Sequence, residues 1–107
     1  MMALQYEIFI VNLDPTIGSE IRKTRPCVII SPDEMNQYLD TVIIAPITSQ
    51  SKDYPTRVKF ILDKKPNWIV LDQIRTIDKT RLTKRIANLN KKEIIEVKLV
   101  IRETFVD

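Results

Sequence analysis

The stretch TVIIAPITSQSKDYPTRVKFILDKKPNWIVLDQI, residues 41–74, decides how the chain is read. It holds three short runs rich in β-branched side chains: TVIIAPI (41–47), TRVKFIL (56–62) and NWIVLDQI (67–74). Each is separated from the next by polar or turn-forming residues. Apolar runs of that length predict strands rather than helices. Pro46 has no N–H to give a ladder, so it predicts a sharp end to the first run and an exposed segment 47–52.

On the N-terminal side, YEIFIVNL (6–13) predicts another strand. DPTIGSEIRKT (14–24), punctuated by Pro15 and Gly18, predicts a long polar loop. RPCVIIS (25–31) predicts a strand with Pro26 near its start. Ser31 as N-cap, Pro32 in the first helical position and Glu34 as capping-box partner predict a short helix next. On the C-terminal side, KRIANL (84–89) is a shorter strand candidate. From Asn90, a cap pairing with Glu93 precedes Ile94, Val97, Ile101 and Phe105 at helical spacing. That pattern predicts an amphipathic helix of roughly four turns packed on a sheet. The expected fold is α+β, a small, strongly bent antiparallel sheet or barrel capped by helices.

A chain of 107 residues predicts one domain, spanning 1–107. Its 44% apolar and 29% charged residues are those of a folded globular protein. Apolar runs of about five residues fall far short of the roughly 20 a membrane helix requires. The start, MMALQYEIFIV, has no basic n-region and no small-residue cleavage site, so no secretory signal is expected. The single cysteine, Cys27, rules out an internal disulfide and fits the reducing cytoplasm; it reads as a buried apolar residue.

Absences narrow the chemistry. With no histidine and one cysteine, a tetrahedral zinc site is nearly excluded, and so is the usual serine–histidine or cysteine–histidine nucleophile pair. With Gly18 as the only glycine, neither glycine-rich phosphate cradle is available. The net charge of +3, concentrated in IRKTR and DKTRLTKR, makes a polyanion a fitting partner, although such runs also serve as plain solvated faces.

Three places can carry function. Arg25, where a basic loop meets a strand, is either a surface partner of Asp14 or Glu20 or a guanidinium fork facing an anion. Thr48 ends the TVIIAPI strand, either as a turn hydroxyl or as a donor held by a rigid element. Gln50, Ser51 and Lys52 then bring neutral donors and one cation, the mixture expected of a groove for single-stranded nucleic acid. Asp72, Gln73 and Arg75 stand at the end of the 67–74 run, and Tyr54 and Trp68 are either stacking platforms or core.

NLDPTIGSE, RP ahead of a strand, PITSQSKDYP, and LDQIRTIDKTRL before a helix together resemble the MazF/PemK family of toxins from toxin–antitoxin modules. The four blocks keep the family's order and spacing across nearly the whole chain. The resemblance implies a homodimeric SH3-like barrel with helices, acting as a sequence-specific, metal-independent endoribonuclease. It implies Arg25 and Thr48 as catalytic residues, and Ser19, Glu20, Gln50, Ser51, Lys52 and Gln73 along the RNA path. It further implies single-stranded RNA as substrate, no cofactor, and a cognate antitoxin whose disordered segment covers the groove. The products implied are 2′,3′-cyclic phosphate and 5′-hydroxyl ends, with translation and growth inhibited.

RNA supplies its own nucleophile, the 2′-hydroxyl, so such an enzyme need only align it, stabilise charge on the phosphate and move protons. Arginine side chains keep their protons far above neutral pH, which favours Arg25 as an electrostatic clamp over a general base. Two alternatives share the small barrel: a non-enzymatic gyrase-poisoning toxin of the CcdB type, and a catalytically silent RNA-binding barrel.

Overall fold

The computed structural model describes residues 2–14, 17–20 and 23–107. The expectations for Pro15 and for Ile21 and Arg22 lie outside these residues. Seven strands form one antiparallel sheet: β1 (Glu7–Asn12), β2 (Thr24–Ile29), β3 (Thr41–Thr48), β4 (Arg57–Leu62), β5 (Lys65–Val70), β6 (Arg75–Asp78) and β7 (Leu82–Asn88). Helix α1 (Asp33–Tyr38) follows β2, and α2 (Lys91–Ile101) follows β7, running into a wider turn over Arg102–Val106. The strand order is β4-β5-β3-β2-β1-β7, with β6 also paired to β3.

The sheet curls because β3 changes partner along its length. Thr41–Ile44 pair with β6, whereas Ile47 and Thr48 pair with β5. Pro46 falls in the gap between the two pairings, so its missing N–H takes nothing from either ladder. The strand therefore does not end at Pro46, contrary to the sequence expectation; it runs two residues further and keeps Pro46 buried. Register shifts between Ile8 and Phe9 and between Ile10 and Val11 bend β1 against β7 at the other side.

Both faces of the central strands are covered. Phe9, Cys27, Ile29 and Ile44 join one buried cluster, while their neighbours Ile8, Val28 and Ala45 join a second. That alternation is the two-residue period of a strand, and it explains why these strands read as nearly continuous apolar runs. The second cluster includes Val97 of α2, fully buried, with Ile94 and Ile101 packed at its margin. Asn90 caps α2 in both directions expected of a capping box: its Oδ1 accepts from the Glu93 N–H, and Glu93 Oε1 accepts from the Asn90 N–H, both at 2.8 Å.

Two other expectations are corrected. Ser31 does not cap α1, whose N-cap is Pro32 without a side-chain bond. The Ser31 hydroxyl is buried and spent elsewhere, donating to Asn36 Oδ1 and accepting from the Ile43 N–H at 3.0 Å. The run 67–74 is not one strand. β5 stops at Val70, a 3-10 turn covers Leu71–Gln73, and β6 begins at Arg75. The turn takes the chain away from β4 while it continues along the same edge of β3, from Ile69 opposite Ile47 to Arg75 opposite Ile44.

Candidate active site

The ends of β2 and β3 meet at one place. Arg25, the second residue of β2, is half-buried, and its Nη1 donates to the Ile47 carbonyl at 3.4 Å. Ile47 precedes Thr48, the last residue of β3, which stands opposite Trp68 of β5. The Thr48 hydroxyl accepts from the Gln50 N–H and donates to the Gln50 carbonyl, both at 3.2 Å. A turn of this kind holds the start of the polar loop against the strand end.

Beside it opens a pocket of about 290 Å³, whose lining includes Leu13, Glu20, Pro46, Asp72, Gln73 and Arg75. Glu20 and Gln73 thus share one cavity although 53 positions separate them, while Arg25, Thr48, Gln50, Ser51 and Lys52 lie outside its lining. Glu20 closes its own turn: Oε1 accepts from the Ile17 N–H at 2.6 Å, and the Glu20 N–H donates to the Ile17 carbonyl at 3.2 Å. Gly18 adopts φ +61° within that turn, a conformation glycine enters without a Cβ penalty. Ser19 is exposed next to it. Arg75 lines the same pocket and donates to the Leu13 carbonyl at 3.3 Å.

The loop after β3 is pinned along its length. Arg57 Nη1 donates to the Ser51 hydroxyl at 2.9 Å, and Ser51 donates to the Lys52 carbonyl at 2.8 Å. Arg57 also forms a two-pronged bond to Asp72, Nε to Oδ1 at 3.0 Å and Nη2 to Oδ2 at 3.1 Å. The Tyr54 ring covers the same guanidinium, 4.9 Å from its centroid. The Arg57 bond is the main reason the Asp72 carboxyl sits below the usual carboxylate range, with Thr56 assisting and partial burial opposing. Farther along, Trp68 donates its indole N–H to Asp53 at 2.9 Å, and Lys59 lies over its ring at 5.5 Å. Of the two stacking candidates, Trp68 is 9% exposed and packed, whereas Tyr54 is 48% exposed. Lys52 is exposed at the loop's outer side.

Beneath the site, Cys27 is fully buried, and burial pushes its thiol up to about 12 against the opposing positive charges of Arg25 and Arg75. The buried thiol is therefore no nucleophile at neutral pH, and the site offers arginines, neutral donors and the carboxylates of Glu20 and Asp72. Among the described residues no group of three or more histidine, cysteine, aspartate or glutamate side chains is arranged to hold a metal. Sequence reasoning missed Arg57, which looked like an ordinary strand residue in TRVKFIL. Only the register, which pairs Arg57 with Val70 just ahead of Asp72, brings its fork to that carboxylate.

Comparison with known proteins agrees with this architecture. The family of PemK-like, MazF-like toxins of type II toxin–antitoxin systems matches residues 4–105. The endoribonuclease MazF of Staphylococcus epidermidis is 41% identical over 98 residues, covering 85% of this chain and 81% of that protein. The crystal structure of MazF from Deinococcus radiodurans superposes with a TM-score of 0.85 at 22% identity, covering 96% of each chain. An endoribonuclease in complex with its cognate antitoxin, from a mycobacterial species, superposes with a TM-score of 0.80 at 16% identity, covering 94% of this chain and 92% of that one. The chain belongs to the PemK-like, MazF-like toxins of type II toxin–antitoxin systems.

Proposed function

We propose that this chain, a MazF-type endoribonuclease toxin, cuts single-stranded RNA in a sequence-specific, metal-independent reaction that yields 2′,3′-cyclic phosphate and 5′-hydroxyl ends. The observation that supports the reading is the contact of Arg25 with the carbonyl of Ile47, the residue before Thr48 at the end of β3. Arg25 clamps the scissile phosphate, and Thr48 turns its hydroxyl from the Gln50 carbonyl to a non-bridging phosphate oxygen. The substrate's 2′-hydroxyl gives up its proton to solvent as it attacks phosphorus, the bond to the 5′-oxygen breaks, and that oxygen takes a proton from solvent and leaves as a hydroxyl. The chain's own contribution is alignment and stabilisation of charge developing on the phosphate. The lack of histidine supports a mechanism without imidazole acid–base steps.

Gln50, Ser51 and Lys52 form one wall of the RNA path, and Ser19, Glu20 and Gln73 the other. The pinned loop and the shared pocket support that assignment. The toxin acts in the cytoplasm, as a homodimer, on RNA whose loss halts translation and growth. A cognate antitoxin neutralises it by laying an acidic, partly apolar segment over the basic groove, a mode that suits the cations Arg25, Lys52 and Arg75. No helix among the described residues is long and apolar enough to cross a membrane.

The test is incubation of the purified protein with a long, unstructured RNA in EDTA, with the cut ends mapped and with Arg25→Ala and Thr48→Ala alongside. Discrete cuts with cyclic phosphate and 5′-hydroxyl ends, lost in both variants, are the expected result. Intact RNA, or cutting that survives both substitutions, would overturn it.

A further inference from the structure

Resting on that endoribonuclease reading, we infer that the Arg57–Asp72 pair is a positioning device that sets the two walls of the RNA groove in register, and so controls affinity and cut-site choice rather than turnover. The β4–β5 ladder ends where Arg57 faces Val70. Beyond that point the chains diverge into the polar loop on one side and the 3-10 turn with Gln73 on the other. The Leu71 N–H donates to the Thr56 carbonyl at 3.1 Å as a backbone tie between them. Side chains supply the rest.

Arg57 spends three N–H groups on two targets: the Asp72 carboxylate and the Ser51 hydroxyl. The Thr56 hydroxyl adds a bond to the same carboxylate at 3.0 Å, and Tyr54 lies over the guanidinium. Ser51, Tyr54 and Thr56 are thereby tied to a residue that lines the pocket next to Gln73. The side chain of Arg57 bonds to Asp72 and Ser51, and that of Asp72 to Arg57 and Thr56, so their effect on RNA passes through the walls they hold. A lysine reaches one carboxylate oxygen but cannot supply the fork together with the bond to Ser51.

The experiment compares the wild type with Arg57→Lys, Asp72→Asn and the double variant, below the thermal transition of the least stable one. Steady-state rates on a short RNA bearing the preferred site, the cut-site spectrum on a long RNA, and RNA affinity by fluorescence anisotropy are measured. Each single variant is expected to raise KM and weaken binding by between about 10-fold and 100-fold, the scale of losing one hydrogen bond to a charged group as binding energy shared by substrate and transition state. The value of kcat stays near that of the wild type, and secondary cut sites appear. The double variant is expected to be no worse than the poorer single one, because the two residues act as a unit. Losses confined to kcat, an unchanged site spectrum with unchanged affinity, or effects that multiply in the double variant would overturn the inference. A wild type that binds RNA without cutting it would instead sink the ribonuclease reading, and the affinity comparison would still decide the role of the pair.

Discussion

Arg25 on β2 and Ile47 on β3 are joined by a guanidinium-to-carbonyl bond of 3.4 Å, one residue short of Thr48. The bond fixes the Arg25 guanidinium against the end of β3. Lysine in its place would keep the charge and lose the planar fork. Arg25→Lys is therefore expected to lower kcat by about 100-fold to 1,000-fold, the scale for removing one preorganised donor, with the fold intact by circular dichroism. Thr48→Ser should retain most of the activity and Thr48→Val should not, since only the hydroxyl can turn to the phosphate. Equal loss in both Thr48 variants would remove the hydroxyl from the mechanism.

Asp72 carries the pH dependence of the pinned loop. Arg57 and Thr56 bond to it, and Glu20 and Arg75 line the same pocket. Its folded pKa is lowered, so the stability it contributes is present above the unfolded value of about 4 and is lost as pH falls through the lower folded value. Asp72→Asn is expected to reduce stability at neutral pH by about 1 kcal/mol or less, because both partners reach solvent. The variant should also lose less stability than the wild type on acidification below about pH 4. Parallel acid-denaturation curves for the two proteins would contradict this.

Cys27 gives the opposite limb. Its thiol rises from 9.0 to about 12 on burial. The unfolded chain ionises it above about pH 9 while the folded one cannot, so the folded state loses stability as pH rises from there toward 12. Cys27→Ala should flatten that alkaline loss, at the expense of a smaller packing contribution at neutral pH. A disulfide-exchange reagent is expected to label Cys27 only at the rate at which the protein opens, and rapid stoichiometric labelling of the folded protein would be incompatible with its burial.

The β4–β5 hairpin turns through two residues, Asp63 and Lys64, at φ +53° and +63°. Both lie in the left-handed region that hairpin turns of this type require, where asparagine, aspartate and glycine are favoured. Lys64 is the misfit. Lys64→Gly is expected to stabilise the protein by up to about 1 kcal/mol, read as an upward shift of the thermal midpoint. Destabilisation would mean that the lysine side chain contributes more than its backbone conformation costs.

The legible parts of the chain were those governed by neighbours in sequence. Asn90 and Glu93 cap α2 because a three-residue spacing suffices for both bonds, and Val97 is buried because helical periodicity puts it on the packed face. The strand runs were readable for the same reason, since alternation needs only adjacent residues. Ser31 had the same local signature as a cap, yet a buried bond to Asn36 and the Ile43 N–H claims its hydroxyl. Tertiary competition of this kind leaves no trace in a local pattern.

Sequence alone determined the strand-rich composition, the terminal helix, the absence of imidazole chemistry and the positions of Arg25 and Thr48 at strand ends. The tertiary structure decided what those ends face. Pro46 is accommodated because β3 changes partners around it, and the 67–74 run breaks because five residues, Val70–Ile74, span the stretch of β3 between Ile47 and Ile44, and the surplus is taken up in the 3-10 turn. Arg57 meets Asp72 through antiparallel register, across 14 intervening residues. A side chain's partner across a sheet depends on which strands pair and at which residue, and that is a property of the whole folded chain.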